Sequence, residues 1–372
     1  MLSQNFSLFA NQLEIPTIEF SPSIIVLFST LDRTEILPFL NHLKSSFPQA
    51  RFMGCSSAGD ISNGTVQDNS VEVLCLKAEK GSIALFHDSI SSENSYEAAS
   101  KMSKMTIKED LSHLFILSEG LNVNGSDLAK GFRDGLPLKI SVTGGLAGDG
   151  SKFQSTWVLD KEGIPRSNQL SALAFYGKWE VGFGSMGGWD SFGVERQVTK
   201  SKNNILYEID NKPALDLYKS YLGERQIDLP SSGLLFPLSM RVSGDDPPVV
   251  RTILSVNEED KSLIFAGEIP ENSYVKLMKA NIDRLIDGAE NAALVTRKSI
   301  KENPELAILI SCFGRRLVLK QLVEEEVETV NQTLSPRTSV GFYSYGELAP
   351  FAKGLRCELH NQTMTITTFR EL

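Results

Sequence analysis

The residues best suited to chemistry cluster towards the end of the chain. Ser311-Cys312-Phe313-Gly314-Arg315-Arg316 joins an apolar run, Leu306–Ile310, to a helix-forming stretch. The carboxyl end of a strand that feeds a helix is where open α/β folds place ligands. Two arginines in a first helical turn oppose the helix dipole, and an anion on the exposed N–H groups would resolve that conflict. The competing reading is a pair of solvated arginines. Cys312 is either a nucleophile or a small buried residue. No histidine stands at a motif spacing that would activate it, which favours burial.

Four histidines occur, His42, His87, His113 and His360, and no two lie at metal-ligand spacing. His360, in Leu359-His360-Asn361-Gln362-Thr363, could orient a ligand or bind haem iron axially, whereas a lone histidine is more commonly a structural hydrogen-bonder. Gly182-Phe183-Gly184-Ser185-Met186-Gly187 matches G-x-G-x-x-G. No helical pattern follows it, so it reads as a glycine-rich bend between strands. No Ser-His-Asp order, P-loop, kinase set or paired glycosidase carboxylates can be defended.

These candidates belong to a unit that the chain repeats three times. The turns are Gly54-Cys55-Ser56-Ser57-Ala58-Gly59-Asp60, Gly144-Gly145-Leu146-Ala147-Gly148-Asp149 and Gly341-Phe342-Tyr343-Ser344-Tyr345-Gly346-Glu347. Each follows an apolar strand ending in serine: Ile24–Ser29, Leu114–Ser118, Leu306–Ser311. Serine and glycine are separated by 25, 26 and 30 residues (29 to 54, 118 to 144, 311 to 341). Helical stretches fill the gaps, with Leu37, Leu40 and Leu43 in the first and Asp127 opening the second. In the third, Leu319, Leu322, Val323, Val327 and Val330 share a face, with Glu324 to Glu326 expected to point outward. A further strand follows each turn: Val71–Ala78, Leu170–Tyr176 and Thr363–Phe369. The unit is therefore strand–helix–turn–strand, in mixed sheets covered by helices, an α/β (mixed α+β) class. Gly54, Gly59, Asp60, Gly144, Gly148 and Asp149 read as structural turns with backbone capping by the acids.

Residues 205–302 break the repeat. A hairpin at Gln197–Ile209, a short helix from Pro213 to Gly223 and strands at Gly233–Met240, Val249–Val256 and Ser262–Ala266 read as an antiparallel insertion. A turn is expected at Gly244–Pro248 and one long helix from Tyr274 to Ile300. The expected domains are 1–204, with two repeats, and 205–372, with the insertion and the third. The 372 residues are 41% hydrophobic and 22% charged, with net charge −9 and no basic stripe, which argues against nucleic acid. Four cysteines form no CxxC pair, and no apolar run is long enough for a signal peptide or a membrane span. These features point to a cytoplasmic protein.

Three segments resemble the FIST domain, a bacterial sensory module: Ser311–Arg315, Gly341–Glu347 and His360–Thr365. The first two repeats are similar to the N-terminal portion of that family. The resemblance implies a non-catalytic sensor of a small ligand, for which amino acids or their derivatives have been proposed. Some stand-alone members of this size are similar to nitric-oxide-sensing haemoproteins, which regulate a separately encoded histidine kinase. On this reading the ligand site lies beside the third turn, with Ser311, Cys312, Gly314, Arg315, Tyr345, Gly346, Glu347, Asn361 and Thr363 as ligand-binding residues and His360 as axial ligand to haem b. The alternatives are an amino-acid or small-anion sensor without haem, using Arg315, and an enzyme using Cys312.

Overall fold

The computed structural model describes residues 1–372 except 245–247 and 352–353. Of the turn expected at Gly244–Pro248, residues 245–247 lie outside the described residues.

The chain is a mixed α+β protein built on three equivalent units. Unit one comprises Ile24–Ser29, helix Leu37–Ser46, Arg51–Ser56 and the return strand Ser70–Lys77. Unit two comprises Leu111–Ser118, helix Gly125–Gly135, Ser141–Leu146 and Gln169–Tyr176. Unit three comprises Leu306–Cys312, helices Phe313–Leu319 and Val323–Leu334, Thr338–Ser344 and Met364–Glu371. In each, the first two strands run parallel and the return strand pairs antiparallel with the first. Parallel neighbours need a long crossover, which the helix supplies. The strands are continuous apolar runs because both faces are covered.

The repeated glycines do not turn the chain. Gly54, Gly144 and Gly341 lie within the second strand, paired in register with Leu27, Ile116 and Leu309 of the first. A Cβ at Gly54 would come within 2.7 Å of the Leu27 carbonyl oxygen, and at Gly144 or Gly341 it would overlap the oxygens of Ile116 and Leu309. Glycine is therefore required by close backbone approach, the same constraint met three times.

Beyond each glycine strand the chain leaves its own unit. Asp60–Ser62 of unit one pairs with Thr338–Ser344 of unit three. Gly346–Pro350 of unit three pairs with Ser141–Leu146 of unit two, and Val158–Leu159 of unit two pairs with Arg51–Ser56 of unit one. The exchange closes a ring, 1 to 3 to 2 to 1. Backbone bonds seal it: Ala58 N to Tyr343 O (2.8 Å), Tyr345 N to Leu146 O (3.2 Å) and Gly148 N to Ser56 O (3.1 Å). Aromatic rings fill the junctions, with Phe28 stacked on Phe342 and Phe175 on Phe369. The parts before and after residue 205 thus share three of the four sheets.

The insertion forms its own antiparallel sheet and core, including Val198, Tyr218 and Phe265. The helix expected over Tyr274–Ile300 is instead a strand, Tyr274–Ala280, followed by a helix, Ile282–Lys298. Val275 and Met278 are spaced as on a helix face; pairing with Leu238–Arg241 decides for strand, which puts them on opposite faces, and Asn281 then caps the helix. The G-x-G-x-x-G glycines Gly182 and Gly184 lie inside strand Trp179–Met186, and the bend falls just after it. Among the described residues no helix is long and apolar enough to cross a membrane.

The glycine constraint has a direct test. Gly341→Ala should cost about 1–3 kcal/mol or more in urea denaturation. Gly187→Ala, where a Cβ would meet nothing closer than 3.7 Å, should be close to neutral.

Candidate functional site

Unit three is filled at its strand ends by a buried ion pair. Arg315 and Glu326 are both fully buried. Arg315 donates from Nε and Nη2 to Glu326 Oε2 (3.0 and 2.7 Å), from Nη1 to Gly187 O (2.8 Å) and from Nη2 to Leu285 O (2.6 Å). Ser311 Oγ and Tyr343 OH donate to Glu326 Oε1 at 2.9 and 2.7 Å. The outward placement expected for Glu326 is therefore overturned: Glu324 and Glu325 face solvent, but Glu326 turns in to meet the guanidinium. Arg315 accordingly holds an internal carboxylate and is not exposed as an anion contact. Arg316 reaches unit one instead, bonding Ala58 O (2.6 Å) and pairing with Asp68 (2.6 Å). Its guanidinium packs on Gly59, where a side chain would collide.

The acids of the repeats fall into two groups. Asp60 and Glu347 are equivalent. Each accepts from the serine three residues earlier, Ser57 (2.6 Å) and Ser344 (2.6 Å), and from a hydroxyl at the return strand, Ser70 (2.8 Å) and Thr363 (2.9 Å). Burial pushes Asp60 up to about 7 and Glu347 up to about 8, against the downward pull of those hydrogen bonds. Asp149 differs. It caps a loop, accepting from the amides of Phe153, Gln154 and Ser155 and from Tyr345 OH. Gly148 packs against Ala58, and Gly346 against Leu146 and Leu359. The Gln362 side chain lies over Gly314 and donates to Thr252 Oγ1 (3.0 Å), and Asn361 Nδ2 donates to Tyr345 O (3.4 Å). The Cys312 thiol is buried and pushed up by desolvation, with Glu347 adding to the rise.

His360 is buried, with Nε2 on Ala349 O (2.9 Å) and its ring edge-on to Phe351. Desolvation lowers it to about 4, so the imidazole is neutral. It lines none of the cavities described below. A haem does not fit His360 as it is placed here: the residue is buried, opens on neither cavity, and Phe351 packs against its ring.

What the structure adds is a groove of about 440 Å³ beside the same segment. Its walls come from helix Gly125–Gly135, from the insertion and from the stretch around Cys357–His360. Five cationic side chains line it (Lys130, Arg133, Arg241, Arg251 and Arg356) against two acidic ones, Glu268 and Glu358. That local excess of three positive charges lies in a chain of net charge −9.

Arg133 is neutralised by Glu358, and Arg241 by Glu195 (2.5 Å). Arg251 has no carboxylate partner among the described residues. It is 6% exposed and bonds only carbonyl oxygens, from Nε to Glu268 (3.2 Å) and from Nη1 to Val250 (3.3 Å) and Leu359 (3.2 Å). Among the described residues no carboxylate lies within ion-pair distance of it, and Nη2 has no hydrogen-bond partner. Desolvation lowers Arg251 to about 10, with Glu358 and Glu268 partly offsetting the fall. A buried cation without a counter-ion is unfavourable unless something charged completes it. The sequence signal was an arginine set in the apolar run Val249-Val250-Arg251-Thr252-Ile253.

Two family models match the chain, the FIST N domain over residues 23–212 and the FIST C domain over residues 214–350. An uncharacterized protein of Methanocaldococcus jannaschii is 23% identical over 367 aligned residues, which span 87% of this chain and 69% of the relative. The groove takes residues from both matched regions.

Two measurements probe these networks. Glu326→Ala leaves Arg315 buried without its carboxylate and should destabilise by about 3–5 kcal/mol in urea titration. The second is pH. Asp60, Glu347 and Glu72 (raised by burial to about 8) hold protons in the folded state that the unfolded chain sheds near 3.8 to 4.5. His113 and His360 act oppositely, but only below their ordinary 6.5. From 6.5 to about 8 the folded state therefore binds more protons than the unfolded one, and stability should fall as pH rises. Glu347→Gln should flatten that slope in melting curves.

Proposed function

The chain belongs to the FIST family of signal-transduction sensor domains that bind small ligands, and we propose that it senses a small anion in the Arg251 groove. The observation that carries this reading is the buried guanidinium of Arg251, without a carboxylate partner among the described residues, at a cationic groove lined from both matched regions. An amino acid or similar carboxylate supplies the missing counter-charge at Nη2, the guanidinium nitrogen left without a partner among the described residues. Arg251 replaces Arg315 as the anion contact, because Glu326 already occupies Arg315.

Occupancy has a route into the repeated core. Arg251 holds Leu359 O, its neighbour Thr252 accepts from Gln362, and Gln362 O accepts from Trp189 Nε1 (3.1 Å). A ligand that draws on Arg251 shifts the strap that joins the third turn to its return strand. On this proposal the protein acts in the cytoplasm without catalysis and reports to a separate signalling protein, of which a histidine kinase is the most concrete form. The haem-bound, nitric-oxide-sensing form has less support, because His360 is enclosed.

A thermal-shift and calorimetry screen of amino acids, small carboxylates and phosphate should find a stabiliser. Arg251→Ala should weaken it by roughly tenfold or more. A screen in which no stabiliser is weakened by Arg251→Ala would overturn the assignment. A Soret band on haem addition that His360→Ala removes would put the haem reading first.

A further inference from the structure

The repeat holds its own precedent for what binds at a strand end. Arg315 lies four residues after Ser311, and Arg33 lies four residues after Ser29. Both serines stand two residues beyond the strand position that faces the unit's glycine. In unit three that arginine meets the Glu326 carboxylate, which is also held by Tyr343, two residues past Gly341. The residue two past Gly54 in unit one is Ser56.

Unit one has the arginine without the acid. Arg33 Nη2 donates to Thr156 O (2.9 Å) and to Ser167 Oγ. Its Nε, the counterpart of the Arg315 nitrogen that meets Glu326, is buried without a hydrogen-bond partner. No carboxylate among the described residues lies within ion-pair distance of Arg33. A cavity of about 340 Å³ opens here, with Arg33, Thr34, Ser56, Lys152 and Gln154 in its lining. Two acids also border it, and both are turned to backbone amides: Asp149 to those of Phe153, Gln154 and Ser155, and Asp32 to those of Thr34 and Glu35.

We infer that this cavity is a second ligand site, separate from the Arg251 groove, that takes the carboxylate of a small molecule on Arg33 as Arg315 takes Glu326. The molecule supplies what unit one lacks, a carboxylate at the carboxyl ends of its parallel strands. Lys152 adds a second cation for the remainder of the ligand. Because the loop carrying Lys152 comes from unit two, the ligand bridges two units across the ring.

The experiment is calorimetric titration of the full chain with acetate, succinate and glutamate as probes. At least one should bind saturably to the wild type and to Arg251→Ala. Arg33→Met should weaken it by roughly tenfold or more. Gln154→Glu is the second variant: it keeps the Arg33 contacts to Thr156 and Ser167 and places a competing carboxylate in the cavity, so it should also weaken binding. Failure of all three probes to bind, or binding that Arg33→Met and Gln154→Glu leave unchanged, overturns the site. Binding lost only in Arg251→Ala assigns the ligand to the groove alone and likewise overturns it. Failure of the Arg251 reading would leave Arg33-dependent binding intact.

Discussion

Everything in this molecule depends on the close approach of two parallel backbones at a glycine, made three times. Each glycine lets its strand lie against the preceding one with no side chain between them. The chain then leaves that strand at the same level in every unit and adds an edge to a neighbour's sheet. No unit completes its own sheet. The ring of exchanged edges makes the units cooperative, since loosening one strand end uncovers hydrogen-bonding groups in the next.

The ring also explains where charge is buried. Strand ends meet at its centre, so their polar groups must be satisfied inside the protein. Asp60 and Glu347 do so with serine and threonine hydroxyls, and Asp149 with backbone amides. Glu326 does so with an arginine, a serine and a tyrosine. These solutions leave the third unit closed. Its conspicuous Ser-Cys-Phe-Gly-Arg segment supports the core, while open space lies at the insertion, where it is cationic, and at unit one, where Arg33 and Lys152 face it.

Such a layout suits a sensor. The insertion has its own core, and the groove lies where it meets the repeats. A ligand there bridges two bodies of structure, so its binding energy acts on their relative fit. The contacts through Leu359, Thr252 and Gln362 link the groove wall to the unit-three strap.

The three-fold repetition, the strand and helix order of each unit and the antiparallel character of the insertion were all legible along the chain. Apolar runs and their spacing are local properties, and they survive any rearrangement of the units. The family was also legible, in Gly341–Glu347 and His360–Thr365. Which polar groups stay open was settled by packing between segments. Arg315 and Arg251 are both arginines beside apolar residues; a distant acid closes the first, and no described acid closes the second. Glu326 follows two exposed glutamates, yet it is buried because Arg315, on the preceding helix, meets its carboxylate. Tyr274–Ala280 is a strand because Leu238–Arg241 offers it an edge. Partners far apart in sequence set these outcomes, and pattern within one segment carries no information about them.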